Sequence, residues 1–147
     1  QLYMVGSMGC LMSLALGVAL VRPDRRVIAV DGDGAVLMRM GGLSTVGYER
    51  PKNLVHIVLD NGTYESTGDQ ATVSPSVDLP AVAAACGYPR VVSVSSPEDL
   101  AAAVAQRRND GLTFIHAPIK SGVPDNLPRP KITPQEVARR LEAFLKD

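Results

Sequence analysis

Short apolar runs alternate with longer mixed segments from one end of the chain to the other. The runs at 2–5, 26–30, 54–59, 90–94 and 112–117 are rich in Val and Ile and barely alternate with polar residues. That is the pattern of strands covered on both faces. Between them, 8–22, 35–49, 78–86 and 97–109 predict helices, and a last one is expected at 134–146. Pro23 closes the first helix, and Pro97 with Glu98 and Asp99 opens the fourth, placing carboxylates at the positive end of its dipole. Thr133 followed by Pro134 and Glu136 reads as an N-cap with Pro in the first turn. The alternation predicts an α/β fold, a doubly wound, mostly parallel sheet with helices on both faces. The carboxyl ends of such strands share one edge, the usual ligand crevice. Three polar, glycine-rich stretches are predicted there: Gly6-Ser7-Met8-Gly9, Asp31-Gly32-Asp33-Gly34, and positions 60–70.

Composition narrows the function classes. A chain of 147 residues suits one domain with one core, spanning 1–147. Fifteen basic residues balance fifteen acidic ones, so there is no electrostatic footprint for a nucleic acid. An apolar content of 46% excludes intrinsic disorder. The longest apolar stretch, 11–21, is interrupted by Ser13 and Gly17 and falls well short of the ~20 residues of a membrane span. No basic segment precedes it, so a signal peptide is not expected. Cys10 and Cys86 stand alone among small apolar residues, which reads as core packing in a reducing, cytoplasmic setting. The chain opens at Gln1 directly on an apolar run and is expected to be cut from, or paired with, something larger. Gly41 and Gly42 fall inside the predicted 35–49 helix, where each costs about 1 kcal/mol relative to Ala. Close packing of that helix against another subunit would compensate. The proline-rich loop 119–131, with Lys120, Arg129 and Lys131, reads as a stiff solvated connection.

The candidate chemistry lies in the second and third loops. Gly32-Asp33-Gly34 fails as a dinucleotide fingerprint because position 37 is Leu, and no Gly-Lys-Ser/Thr follows to make a Walker loop. An acidic residue beside a phosphate calls for a metal between them. Mg²⁺ is commonly held by one or two carboxylates together with phosphate oxygens. Asp33 offers a carboxylate, Asn61 an amide oxygen, and the sharp turn at Thr63 a backbone carbonyl. Gly34 permits close backbone approach, and the helix opening at Ala35 presents free N–H groups. Taken singly, Asp-Gly and Asn-Gly are ordinary turn formers; it is their combination that points to a metal.

Gly32-Asp33-Gly34, then 26 residues, then Asn61 after the strand Val55-His56-Ile57-Val58-Leu59 resembles the diphosphate-binding motif of thiamine-diphosphate enzymes. Gly6-Ser7-Met8-Gly9 is similar to the segment that precedes it there. The resemblance implies that this chain is the pyrophosphate-binding half of such an enzyme. It implies that Asp33, Asn61 and the Thr63 carbonyl hold Mg²⁺. Gly32, Gly34 and Ala35 would meet the diphosphate, with Ser7 and Tyr64 also in the cofactor site. Met8 would be the wedge that bends the cofactor, and the Gly6 carbonyl would accept from its amino group. Met8 is also readable as core, one of five Met in the first 40 residues. Ala35 and Asp60 depart from the Ser and Asn that many relatives carry at those positions.

Within the family, 45–54 and Ser66-Thr67-Gly68-Asp69-Gln70 look most like the phosphonopyruvate and sulfopyruvate decarboxylases. Leu127-Pro128-Arg129-Pro130 and 133–137 lean to the phosphonopyruvate side. The implied activity is non-oxidative decarboxylation of a small 2-keto acid, foremost phosphonopyruvate to phosphonoacetaldehyde. Sulfopyruvate, or another 2-keto acid, is the alternative substrate. A pyrimidine-binding domain or subunit is missing from this chain, so the active site should form in a hetero- or homo-oligomer and this half alone should be inert. Glu65 and Thr67 are the catalytic candidates, with Ser66 and Gln70 beside them and Lys120 as a guess for the phosphonate. His56, in an apolar strand, reads as a core residue, and His116 as structural. A non-catalytic, Mg-binding regulatory module of the receiver type is the distant alternative. Such a module wants an acidic pair after its first strand, where this chain has Gly6 and Ser7.

Overall fold

The computed structural model describes residues 1–106, 111–128 and 130–146. Four parallel strands form the central sheet: β1 (Val27–Gly32), β2 (Leu54–Asp60), β5 (Arg90–Ser93) and β6 (Thr113–Pro118), in the order β1-β2-β6-β5. A two-stranded antiparallel ribbon, β3 (Thr63–Tyr64) with β4 (Gln70–Ala71), stands beyond the carboxyl end of β2. The helices are α1 (Leu11–Val21), α2 (Asp33–Met38), α3 (Gly42–Glu49), α4 (Leu79–Ala85), α5 (Pro97–Ala105) and α6 (Pro134–Lys146).

The period-2 geometry of the strands divides the core into two. Leu54 and Val58 of β2, Leu112 and Phe114 face the larger cluster, which takes in Met12, Ala15, Leu16 and Ala19 of α1, Val36 of α2, Leu43 and Val46 of α3, and Leu79 and Ala83 of α4. Val55 and Ile57, on the opposite face with Ile115 and Ala117, pack under Ala103 of α5. Helices therefore cover both faces, as the alternation predicted. Asn53 ties α1 to the start of β1: its Nδ2 donates to the carbonyls of Ala19, Arg22 and Arg25 at 3.1, 2.9 and 2.7 Å. At the start of α5, Ser96 caps the helix by accepting from the Asp99 N–H, a cap that the sequence reading did not name. Thr133 and Glu136 form a reciprocal capping box on α6.

Three expectations require correction. The run 2–5 is not a strand. It has no pairing partner among the described residues, and Tyr3, Met4 and Val5 are exposed; a strand needs a neighbour's free edge as well as apolar side chains. The single helix expected at 35–49 is two helices broken at Arg39–Gly41, so neither Gly41 nor Gly42 lies in a helix interior. A Cβ at either would meet nothing within 4 Å. The break removes the cost that was to be offset by close packing on another subunit. The fourth helix ends at Ala105; positions 107–109 of the expected 97–109 segment lie outside the described residues, as does Arg129.

His56 is a fully buried core residue, but not a fully satisfied one. Its Nδ1 lies 3.4 Å from the Tyr88 hydroxyl, its ring stands edge-on to Phe114, and Nε2 has no hydrogen-bond partner among the described residues, with Asp31 Oδ2 3.8 Å away. Burial pushes the Tyr88 phenol well above its ordinary value, so the hydroxyl beside Nδ1 keeps its proton. Desolvation lowers the pKa of His56 below its ordinary 6.5, with Asp31 opposing in part. A base whose folded pKa is depressed is protonated more in the unfolded chain, so stability falls as pH drops below about 6.5, with a slope reaching about 1.4 kcal/mol per pH unit. Denaturant titrations from pH 7.5 to 5 should show this acid loss in the parent and a shallower one in His56→Gln. Parallel curves would contradict it.

Candidate active site

Gly32 ends β1 opposite Leu59 of β2. That register brings the turn after β1 and the turn after β2 side by side at one edge of the sheet. Between them is a cavity of about 380 Å³ lined by Met8, Val30, Asp31, Gly32, Asp33, Gly34, Ala35, Leu59, Asn61, Thr63, Tyr64, Glu65, Ser66 and Ile119. A larger hollow of about 490 Å³ beside α6, lined by Ile132, Glu136, Arg139 and Arg140, holds none of the predicted site residues.

Asp33 is 1% exposed. Its Oδ2 accepts a 2.6 Å hydrogen bond from Thr72 Oγ1, and its other oxygen accepts none among the described residues. Asn61 is oriented by two partners: its Oδ1 accepts from the Thr63 N–H at 3.0 Å, and its Nδ2 donates to Glu65 Oε2 at 2.7 Å. That fixes which amide atom is oxygen and leaves Oδ1 a second lone pair. The carbonyls on either side of Thr63, those of Gly62 and Tyr64, accept from Thr72 and Asp69. Successive strand carbonyls point in opposite directions, so the Thr63 carbonyl is turned away from β4. The Thr63 hydroxyl is buried without a hydrogen-bond partner among the described residues. Carboxylate, amide and carbonyl oxygens on one cavity wall suit a hard cation such as Mg²⁺, and the orphaned hydroxyl fits a site completed by a further polar group.

The cavity's shape depends on two glycines. A Cβ on Gly34 would lie 2.6 Å from Tyr64 Cδ1, so only glycine lets the Tyr64 ring cover the opening of α2. Gly9, at φ +84°, seats the 6–9 turn on α2, where a Cβ would come within 3.0 Å of the Ala35 carbonyl. This turn carries Met8 into the cavity wall although no strand precedes it. Gly6 and Ser7 lie outside the lining; the Ser7 carbonyl accepts from Cys10 N–H. Glu65 lines the cavity and also accepts from the Gly122 backbone N–H, which ties it to the loop after β6. Thr67 does not line it: Thr67 Oγ1 bonds the Tyr64 carbonyl at 3.2 Å, one turn behind Glu65. Lys120 is exposed on the same loop as Gly122.

Residues 2–117 match the family described as "Thiamine pyrophosphate enzyme, C-terminal TPP binding domain". The chain belongs to the thiamine pyrophosphate enzymes. It is 57% identical, over 97% of its length, to a phosphonopyruvate decarboxylase of Streptomyces viridochromogenes, of which it spans 36%. It is 39% identical, over 99% of its length, to the sulfopyruvate decarboxylase subunit beta of Methanothermobacter thermautotrophicus, of which it spans 74%. In fold it resembles a 2-oxoglutarate:ferredoxin oxidoreductase from Magnetococcus marinus, with a TM-score of 0.69 and 19% identity over 78% of this chain and 46% of that one. This thiamine pyrophosphate enzyme domain thus spans about a third of the first relative and about three quarters of the second. No helix among the described residues is long and apolar enough to cross a membrane.

Sequence reasoning missed Thr72, the hydrogen-bond partner of Asp33, and Ser74 behind it. It also read His116 as structural without finding its partner, Asp60 Oδ2 at 2.8 Å. No motif marks a Thr that donates to a residue 39 positions earlier. The departure at Asp60 was the one signal available.

Proposed function

We propose that this chain is the diphosphate-binding half of a thiamine-diphosphate- and Mg²⁺-dependent carboxy-lyase acting on a 3-substituted pyruvate, foremost phosphonopyruvate. What carries the reading is that Asp33, Asn61 and Thr63 line one cavity at the ends of β1 and β2. The 57% identity to a phosphonopyruvate decarboxylase across almost the entire chain supports the substrate.

The donor set fits the cofactor. Asp33, Asn61 Oδ1 and the Thr63 carbonyl would hold Mg²⁺, and the backbone of Gly32, Gly34 and Ala35 would meet the diphosphate. When bound, thiamine diphosphate supplies the carbon that adds to the substrate's keto group and takes up the electron pair released with carbon dioxide. Met8 would shape the cavity wall against the cofactor, and Gly6 would offer its carbonyl to the cofactor's amino group, which would be catalysis by positioning. Ser7 and Tyr64 complete the cofactor side. Glu65 stands toward the reacting end and also holds the Asn61 amide in place; Thr67, outside the cavity lining with its hydroxyl on the Tyr64 carbonyl, is given no step there. The carboxylate that activates the cofactor's pyrimidine ring would come from a pyrimidine-binding domain or subunit, so the working enzyme is an oligomer or a longer chain. The sulfopyruvate decarboxylase relative, itself a subunit beta, supports that division.

The test is carbon dioxide release by the protein assembled with its pyrimidine-binding half. Phosphonopyruvate should be turned over in a Mg²⁺-dependent reaction, well ahead of sulfopyruvate and pyruvate. Preference for sulfopyruvate would move the assignment to the second relative, and turnover of neither would overturn it.

A further inference from the structure

We propose that Thr72 is a positioning residue that turns Asp33 into a one-oxygen ligand and so sets the site's preference for Mg²⁺ over larger cations. The proposal rests on the reading of Asp33 as a metal ligand. Thr72 is 7% exposed, and its hydroxyl has one hydrogen to give. The Ser74 backbone N–H points at Thr72 Oγ1 from 3.2 Å and fills one lone pair, so the hydroxyl hydrogen goes to Asp33 Oδ2, 2.6 Å away. The backbone that carries Thr72 is held as well, because its own N–H donates to the Gly62 carbonyl at 2.8 Å.

The segment behind Thr72 is anchored in turn. Ser74 Oγ donates to Asp60 Oδ1 at 2.8 Å, and the other Asp60 oxygen takes His116 Nε2 at 2.8 Å. His116 lies opposite Val58 in the β2–β6 register, two residues from Asp60 on the same face, within diagonal reach. Ser74, with its hydroxyl on Asp60 and its N–H on Thr72, therefore links β6 and the end of β2 to Asp33 just past β1. The polarity of this link is fixed at the Thr72 step by the Ser74 N–H.

The consequence is geometric. With Thr72 holding Oδ2 at 2.6 Å, the carboxylate is fixed in one orientation, and its other oxygen is the one that accepts no hydrogen bond among the described residues. Mg²⁺ demands near-octahedral geometry and commonly takes one oxygen per carboxylate, whereas Ca²⁺ accepts bidentate carboxylates and higher coordination numbers. Freed of Thr72, the carboxylate could rotate and offer both oxygens. Partners of metal ligands typically account for 10–100-fold in metal affinity.

The experiment measures Mg²⁺- and Ca²⁺-dependent binding of thiamine diphosphate by calorimetry on the assembled protein. Thr72→Val keeps the shape and removes the hydroxyl. It should weaken Mg²⁺ about 10–100-fold and Ca²⁺ less, lowering the Mg²⁺/Ca²⁺ ratio, while Thr72→Ser restores the parent values. Ser74→Ala, which cuts the link to Asp60, should shift the ratio in the same direction by less, and serves if the valine variant does not fold. An unchanged ratio in Thr72→Val, or in Ser74→Ala where the valine variant does not fold, would overturn the proposal. So would failure of Thr72→Ser to recover the ratio. Asp33→Ala separates the two claims: if it leaves metal-dependent binding intact, the ligand reading itself has failed; if it abolishes binding while Thr72→Val behaves as the parent, only the positioning role has.

Discussion

Asp33→Asn should abolish metal-dependent cofactor binding and at the same time raise the melting temperature of the metal-free protein. The two effects share one cause. Asp33 is 1% exposed and, among the described residues, has a single hydrogen bond, from Thr72. A carboxylate buried with so few partners carries a desolvation cost that a bound cation would offset. The amide keeps the volume, and its oxygen still accepts from Thr72, but the charge is gone. Loss of a direct ligand should exceed the 10–100-fold typical of a ligand's outer partner, so Mg²⁺-dependent binding should weaken by more than about 100-fold. Relief of the buried charge should stabilise the apo protein by roughly 1 kcal/mol or more, a rise of about 2–4 °C at this chain length. Calorimetry and thermal melts of one preparation test both. A variant that binds Mg²⁺ and cofactor normally would remove Asp33 from the site. A variant that melts lower without metal would mean that the charge is satisfied in a way the hydrogen bonds do not reveal.

This trade explains why the site was easier to read from sequence than its surroundings. Asp33, Asn61 and Thr63 each follow a strand, and each is a hard-oxygen donor whose residue type and spacing mean little for stability. Chemistry that costs stability leaves a mark in the sequence. Thr72, Ser74 and Asp60 leave almost none, because a hydroxyl that donates across 39 positions looks like any other loop hydroxyl until the chain is folded. The same distinction runs through the fold. Positions 54–59 are legible as a strand because both faces are covered, Leu54 and Val58 by one cluster and Val55 and Ile57 by the other. Positions 2–5 have the same local character, but pairing depends on a neighbour's free edge, which lies outside local sequence. The helix break at Arg39–Gly41 was masked by apolar residues on either side. The two glycines were visible, yet their reason was mistaken: they sit at a corner.

A different pair of glycines has the larger structural consequence. Gly47→Ala should be the most damaging of the small substitutions in this chain. Gly47 lies in α3, and a Cβ there would come within 2.7 Å of the Cys86 carbonyl carbon and closer still to its oxygen. The obstacle is backbone at the end of α4, not a side chain that can rotate away. The approach is close from the other backbone as well. Gly87 holds a left-handed φ of +97°, and a Cβ on it would lie 3.2 Å from the Gly47 carbonyl oxygen. Val46 at 1% exposure, Ala83 at 0% and Tyr88 at 4% pack around the crossing. To admit one methyl group, α3 and α4 must separate and open that core. Overpacking typically costs 1–3 kcal/mol, and contact with immovable backbone belongs at or beyond the upper end, about 3 kcal/mol or more. The melting temperature should then fall by roughly 6–12 °C. Gly17 is the matched control: it also lies inside a helix, but it is exposed, and a Cβ on it meets nothing within 4 Å. Gly17→Ala should therefore be neutral or stabilising by about 0.5–1 kcal/mol, the ordinary helix preference for alanine. If both substitutions lowered the melting point equally, the close crossing of α3 and α4 would not be the cause.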